Sequence, residues 1–356
     1  MLQSHCSLSY YLRALTQNLL NESIYNQLFP VLTQTMAFGS ANCSIVPETT
    51  STDAGVAGVG TLLSFIITNF VSLFLSAIII LLGLRKTTSA PICRKLLSGF
   101  SDTQILQGIG IQCVALAKIE TLIPYHFFIV WLLSMLSTAT NLATLLALVN
   151  DFKRDWVLRW MRQLFMATNM GLQCVSGIFI LQSVMKNLEP RLPIACVWEV
   201  EGRGATSNAA LSIAGTIAVI AGNVVVFIAG TWYLHMRKNP RWLKSVQVIG
   251  LVMLIAMGIG ATIRVVMESQ AFGSPPEAVR LVGTGEKDFG YGQLLALLFL
   301  ILPVISALEI VRGELRVTPN KADDDGDEKR LVDTEYSQQD YQPNPLFGSR
   351  GNLLGK

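Results

Sequence analysis

The chain is short of charge. Lys, Arg, Asp and Glu make up 14% of its 356 residues, against roughly 25% in soluble globular proteins. Long uncharged intervals separate short charged segments, and no interval holds an Asp, Glu, Lys or Arg in its interior. A charge at the centre of a membrane helix costs roughly 2.5–3.5 kcal/mol on insertion scales and persists there mainly for function. Its absence argues against membrane enzymes that need carboxylates within the bilayer. HExxH, GxSxG and paired carboxylates are also missing, so the sequence reads as non-enzymatic. The last interval, Gly290 to Leu308, lacks the lysine that a retinal Schiff base would need. Six cysteines without a CxxC pair argue against a zinc or redox motif. No cofactor, no metal and no nucleic acid is expected. The first twenty residues hold one Arg and no continuous apolar run, so no cleavable signal peptide is expected and the first membrane helix must direct targeting.

Apolar residues, at 51%, are what the chain has in abundance. A bilayer core of roughly 30 Å takes about 20 apolar helical residues to span. Seven intervals meet or approach that length, at about 59–82, 103–117, 125–148, 163–185, 207–234, 245–263 and 290–308. The predicted fold is all-α, a polytopic bundle of seven transmembrane helices within residues 54–311. A tail at 1–53 precedes it, with loosely helical apolar spacing from Tyr10 to Leu19. A disordered acidic tail at 312–356 follows, and Pro303 predicts a kink in the seventh span. The second interval is the weakest, with fifteen uncharged residues, but omitting it would put the basic segments 85–95 and 153–162 on opposite faces. With seven spans, 19 Lys and Arg fall on the side of the C-terminus and 8 on the other. The positive-inside rule then puts the C-terminus in the cytoplasm and the N-terminus outside. The acceptor sequons at Asn21 and Asn42 both lie in the N-terminal tail, in agreement.

The entry to the first helix and residues 101–150 carry short motifs. These are Asp53-Ala-Gly-Val-Ala-Gly58-Val-Gly60, Ser101-Asp102-Thr103-Gln104, Tyr125-His126-Phe127 and Ser137-Thr-Ala-Thr-Asn141-Leu-Ala-Thr144-Leu. In them the chain resembles a group of uncharacterised fungal multi-pass membrane proteins over roughly residues 53–165. The resemblance implies topology and origin, not a chemistry. Family members often have a cysteine just before the Tyr-His pair, where this chain has Lys118-Ile-Glu-Thr-Leu-Ile-Pro124, and a histidine where it has Asn141. The disulfide of that turn is therefore not expected here.

The candidate polar interior consists of Asn69, Gln112, His126, Asn141, Asn169, Gln173 and Asn223. Interhelical hydrogen bonds are the default role of such amides, at roughly 0.6 kcal/mol each; a shared polar cavity is the functional alternative. Ser134, Ser137, Thr138, Asn141 and Thr144 recur at three- and four-residue steps, which puts them on one face of the third helix, turned inward. His126 reads either as a ligand-contacting, pH-sensing group or as an interfacial residue beside Tyr125 and Trp131 of an aromatic belt. The glycines at 108, 110, 258 and 260 read as packing sites. Cys6, Cys43 and Cys196 fall on the oxidising side; Cys43 with Cys196 would tie the tail to an outer loop, and the sequence does not choose the pairing. Cys93, on the cytoplasmic side, reads as a thiol or a lipidation site. Asp151-Phe-Lys-Arg154 weakly resembles the signature of G-protein-coupled receptors, but no Asn-Pro-x-x-Tyr follows in helix seven.

These features read as a receptor- or sensor-like seven-helix protein, with a transporter or lipid-handling protein and a membrane scaffold as alternatives. Its expected partners are the lipid bilayer, an unidentified small-molecule or lipid ligand, and a cytoplasmic protein held by the C-terminal tail. The plasma membrane is the expected location, an endomembrane the alternative.

Overall fold

A computed structural model describes residues 42–85, 91–154, 156–200, 209–235 and 243–312. All of them belong to one unit, Met1–Val317. Asn21, Cys6, the apolar spacing at 10–19 and the acidic tail beyond Arg312 lie outside the described residues.

The long helices are α1 (Val59–Leu84), α2 (Pro91–Ala117), α3 (Pro124–Ala147), α4 (Trp156–Lys186), α5 (Ala209–His235) and α6 (Leu243–Glu268). Two shorter ones, α7 (Tyr291–Leu298) and α8 (Ile301–Val311), follow end to end. The bundle is helical apart from one pair of two-residue strands among the described residues, β1 (Thr50–Ser51) and β2 (Leu281–Val282), which run parallel. Six stretches are long and apolar enough to cross a membrane: α1 with the turn before it, α3, most of α4, α5 and α6, and α7 with α8. The chain is thus compatible with a multi-pass membrane location.

Local sequence sets the boundaries. Pro124 occupies the first turn of α3, where its missing N–H costs nothing. Asn187 ends α4 with φ of 50°, the left-handed position that asparagine tolerates. Leu188 N–H then bonds the Ser183 carbonyl and Asn187 N–H the Val184 carbonyl, closing the helix end. Pro303 cannot donate to the Phe299 carbonyl, and the helix breaks at Phe299–Leu300, between α7 and α8. There Leu300 N–H turns to Leu297, and Gln107 of α2 donates to the Ala296 carbonyl at 3.3 Å. A side chain of a neighbouring helix thereby satisfies a backbone group that the break releases.

One expectation needs correction. Helix α2 does not begin at Thr103 but at Pro91, and it carries Arg94, Lys95 and Asp102 in its first half. Arg94 pairs with Asp151 at 2.9 Å and Asp102 pairs with Arg162, which also bonds Ser98, while Lys95 is exposed. The same charges keep α2 out of the set of apolar crossing helices. The segment from Asn42 is tied to the bundle. Thr50 N–H bonds the Arg280 carbonyl, its hydroxyl the Val279 carbonyl, and Cys43 is joined to Cys196 by a disulfide.

Helix α3 is the axis of the bundle. Packing covers all sides of its apolar stretch, not the inward face alone. Tyr125 and Trp131 are buried too, so neither belongs to an aromatic belt.

Candidate functional site

Two polar assemblies stand out, one inside the bundle and one at the end that carries the disulfide. The inner one forms where α2, α3 and α4 meet. Gln112 donates to Asn169 Oδ1 at 2.9 Å, Asn169 donates to Thr138 Oγ1 at 3.1 Å, and Thr138 donates to Gln173 Oε1 at 2.7 Å. Beside it, Ser101 donates to Asn141 Oδ1, Asn141 to Ser137 Oγ, and Ser137 to the Gln104 carbonyl. Gly108 lies between the two chains, where an added Cβ would overlap Ser137 Oγ and stand 2.8 Å from Asn169 Oδ1. Close approach of α2 therefore requires glycine there; Gly110 faces open space. Each hydroxyl or amide is buried, and a polar group in an apolar medium stays only with a partner.

Asn69 stands apart. It donates to the Leu136 carbonyl at 2.9 Å and to Thr140 Oγ1 at 3.1 Å, with Gly258 of α6 packed against its side chain. Asn223 is buried on α5, its amide nitrogen unpartnered. Six of the seven expected interior residues, from Asn69 to Asn223, are thus buried amides; three of them share one chain.

The seventh, His126, opens the other assembly. Its Nε2 lies 2.7 Å from Glu286 Oε1, and Tyr125 OH donates to Glu286 Oε2 at 3.0 Å. Gln270 N–H donates to the same phenol oxygen at 2.8 Å. Glu286 is 0% exposed and His126 2%. A carboxylate can only accept, so it fixes a proton on His126 Nε2 and orients the Tyr125 hydroxyl. Glu286 comes from the loop after α6, and its own carbonyl accepts from Val59 N–H at the start of α1. One residue therefore pins that loop to two helices.

A cavity of about 420 Å³ opens over His126. Its wall is the segment Thr49–Asp53, the turn after α2, and Arg191 with Pro193 from the loop after α4. Lys118 pairs with Asp53 at 2.7 Å across the rim. Arg191 pairs with Glu189 and donates to the Pro47 and Glu48 carbonyls. The cavity is a half-open cleft of small-molecule size, with hydroxyls, one acid and two bases beside Leu122, Ile123 and two prolines. Among the described residues no group of three or more His, Cys, Asp or Glu could hold a metal ion.

Comparison with protein-family models, curated proteins and solved structures finds no match for the chain. The chemistry is therefore argued from these residues alone.

Sequence reasoning singled out His126 but missed Glu286. Its one sequence signal is an acid in the Gly-Thr-Gly-Glu-Lys-Asp run, 160 positions from its partner. The Asn42 sequon is exposed, with Ser44 Oγ bonded to Asn42 Oδ1 at 2.7 Å. Cys93, Cys113 and Cys174 are free thiols.

Proposed function

We propose that this chain is a non-enzymatic, receptor- or sensor-like membrane protein with seven crossing helices, its disulfide end outside and its C-terminus in the cytoplasm. The observation that carries the reading is the cavity at His126, a residue bound to the buried carboxylate of Glu286 in the loop after α6. A small polar ligand that engages His126 would act directly on the contact between that loop and α3. Helix α2 is the seventh crossing element: its charges lie in its first half, with Arg94 and Asp102 paired, and the rest is uncharged to Ala117. Orientation rests on the excess of Lys and Arg on the other side and on the disulfide, which persists in oxidising compartments. The plasma membrane is the proposed location, and the tail after Arg312 the proposed contact for a cytoplasmic partner.

Native mass spectrometry of the protein in nanodiscs tests the ligand. A retained polar small molecule that is lost in His126→Ala supports the reading. An empty chamber in protein taken from native membranes, with unchanged signalling after deletion of the tail, refutes it. A transporter reading is favoured by one observation, the hydrogen-bonded amide chain through α2, α3 and α4; altered efflux in a deletion strain would select it.

A further inference from the structure

The turn into α3 leaves hydrogen-bonding groups open at the cleft. Ile123 is the N-cap of that helix and makes no side-chain capping bond. The Tyr125 and His126 N–H groups of the first turn therefore have no partner within the helix. Leu122, Ile123 and His126 all line the cleft. The His126 ring is buried, with 3% of its side chain exposed, and Glu286 takes its Nε2. Its Nδ1 makes no hydrogen bond among the described residues, and packing does not close that atom off.

Charge of one sign faces the same space. Among the described residues of the wall, the bases Lys118 and Arg191 stand beside the acid Asp53. Both Asp53 oxygens are engaged, Oδ1 by Gly55 N–H at 3.1 Å and Oδ2 by Lys118 at 2.7 Å. The acids that hold Arg191 and His126, Glu189 and Glu286, stand outside the lining. Lys118 keeps N–H donors beyond the one given to Asp53. The cleft thus meets cationic groups and a helix N-terminus, whose partial positive charge favours an anion.

We propose that the cleft at His126 binds a small hydroxylated carboxylate of the sugar-acid class, with its carboxylate on Lys118 and the first turn of α3 and a hydroxyl on His126 Nδ1. The wall selects the chemistry. A hydroxyl both donates and accepts, so it suits Nδ1 in either protonation state of a ring held at Nε2. Thr49, Ser51, Thr52 and Thr121 offer hydroxyls to the rest of the chain, and Leu122, Ile123 and the two prolines meet its C–H groups. One negative charge fits better than two, because Lys118 and Arg191 are each already paired with an acid that cancels part of their field. A cationic ligand finds no open carboxylate in the wall. At about 420 Å³ the cleft is near the small end of ligand pockets, roughly 300–1,000 Å³. This ligand class rests on the reading of the cleft as a ligand site.

The test uses the full chain in phosphatidylcholine nanodiscs and ligand-observed NMR, with empty nanodiscs as the blank. Probes of matched length separate charge from hydroxylation: gluconate, its uncharged counterpart sorbitol and its unhydroxylated counterpart hexanoate. Gluconate is expected to bind about tenfold more tightly than either, the factor that one hydrogen bond to a charged group supplies. It should also slow hydrogen exchange in residues 121–127. Lys118→Met should weaken gluconate by a similar factor and Lys118→Arg should restore it. Both variants should melt near the wild type, because the Lys118–Asp53 pair is half exposed and such pairs add little stability. Sorbitol or hexanoate binding as tightly as gluconate overturns the proposed ligand class and leaves a ligand site in place. So does gluconate binding that is unchanged in Lys118→Met. If no probe binds, the ligand class falls; the ligand site falls with it only when native mass spectrometry of protein from native membranes also finds no retained polar molecule.

Discussion

Glu286→Ala is the sharpest perturbation the structure offers. The wild-type carboxylate is fully buried and accepts from two partners, His126 Nε2 at 2.7 Å and Tyr125 OH at 3.0 Å. The alanine variant leaves an imidazole and a phenol in a closed site, with Gln270 N–H the other bonded group there. Removing the acceptor shared by two buried donors costs about 1–3 kcal/mol for each donor left unsatisfied. Glu286→Gln retains one acceptor and leaves one of the two donors unsatisfied, for which about 1–3 kcal/mol is expected. Denaturant unfolding in detergent micelles, followed by tryptophan fluorescence, gives both values. A double-mutant cycle with His126→Ala isolates the pair, and contacting residues of this kind couple by about 0.5–3 kcal/mol. A Glu286→Ala variant within about 0.5 kcal/mol of the wild type would refute the reasoning, since changes that small belong to surface positions. Strictly additive single variants would refute it as well.

Other outcomes follow from the same contacts. Gly108→Val should destabilise by about 1–3 kcal/mol through overpacking against Ser137 and Asn169, whereas Gly110→Val, with open space at its Cβ, should melt with the wild type. Cys43→Ser should raise hydrogen exchange in residues 279–286 more than in α3, because the disulfide anchors the segment that pairs with β2. Glycosidase treatment should shift the gel mobility of the wild type and leave an Asn21→Gln, Asn42→Gln double variant in place. A wild type without a shift removes the sequons as support for the orientation.

Much of this architecture was legible in the chain because membrane helices are written as contiguous apolar runs. The turn at Pro124 and the inward hydroxyls of α3 followed from local rules. The start of α2 did not, because Arg94 and Asp102 read as a loop until Asp151 and Arg162 are seen to pair with them. The central place of α3 was hidden for a similar reason: its outer residues are as apolar as lipid-facing ones, and only the neighbouring helices tell the two apart. Of the site, His126 and the amides showed as exceptions to an apolar pattern. Glu286 did not, since an acid in a polar loop breaks no pattern; its burial is decided by Thr50, Gln270 and Gln293, which fold that loop down onto the bundle.

The tie between Val59, His126 and Glu286 also bears on the order of synthesis. Residues near the first and third helices wait for a residue made 160 positions after His126, whose carbonyl meets Val59 and whose carboxylate meets His126. Until that loop has emerged, the imidazole and the phenol must stay hydrated and the end of the bundle open. Closure of the bundle over His126 and Tyr125 is therefore a late event of biogenesis, and a chain truncated before residue 286 would insert its early helices yet leave that end unsealed.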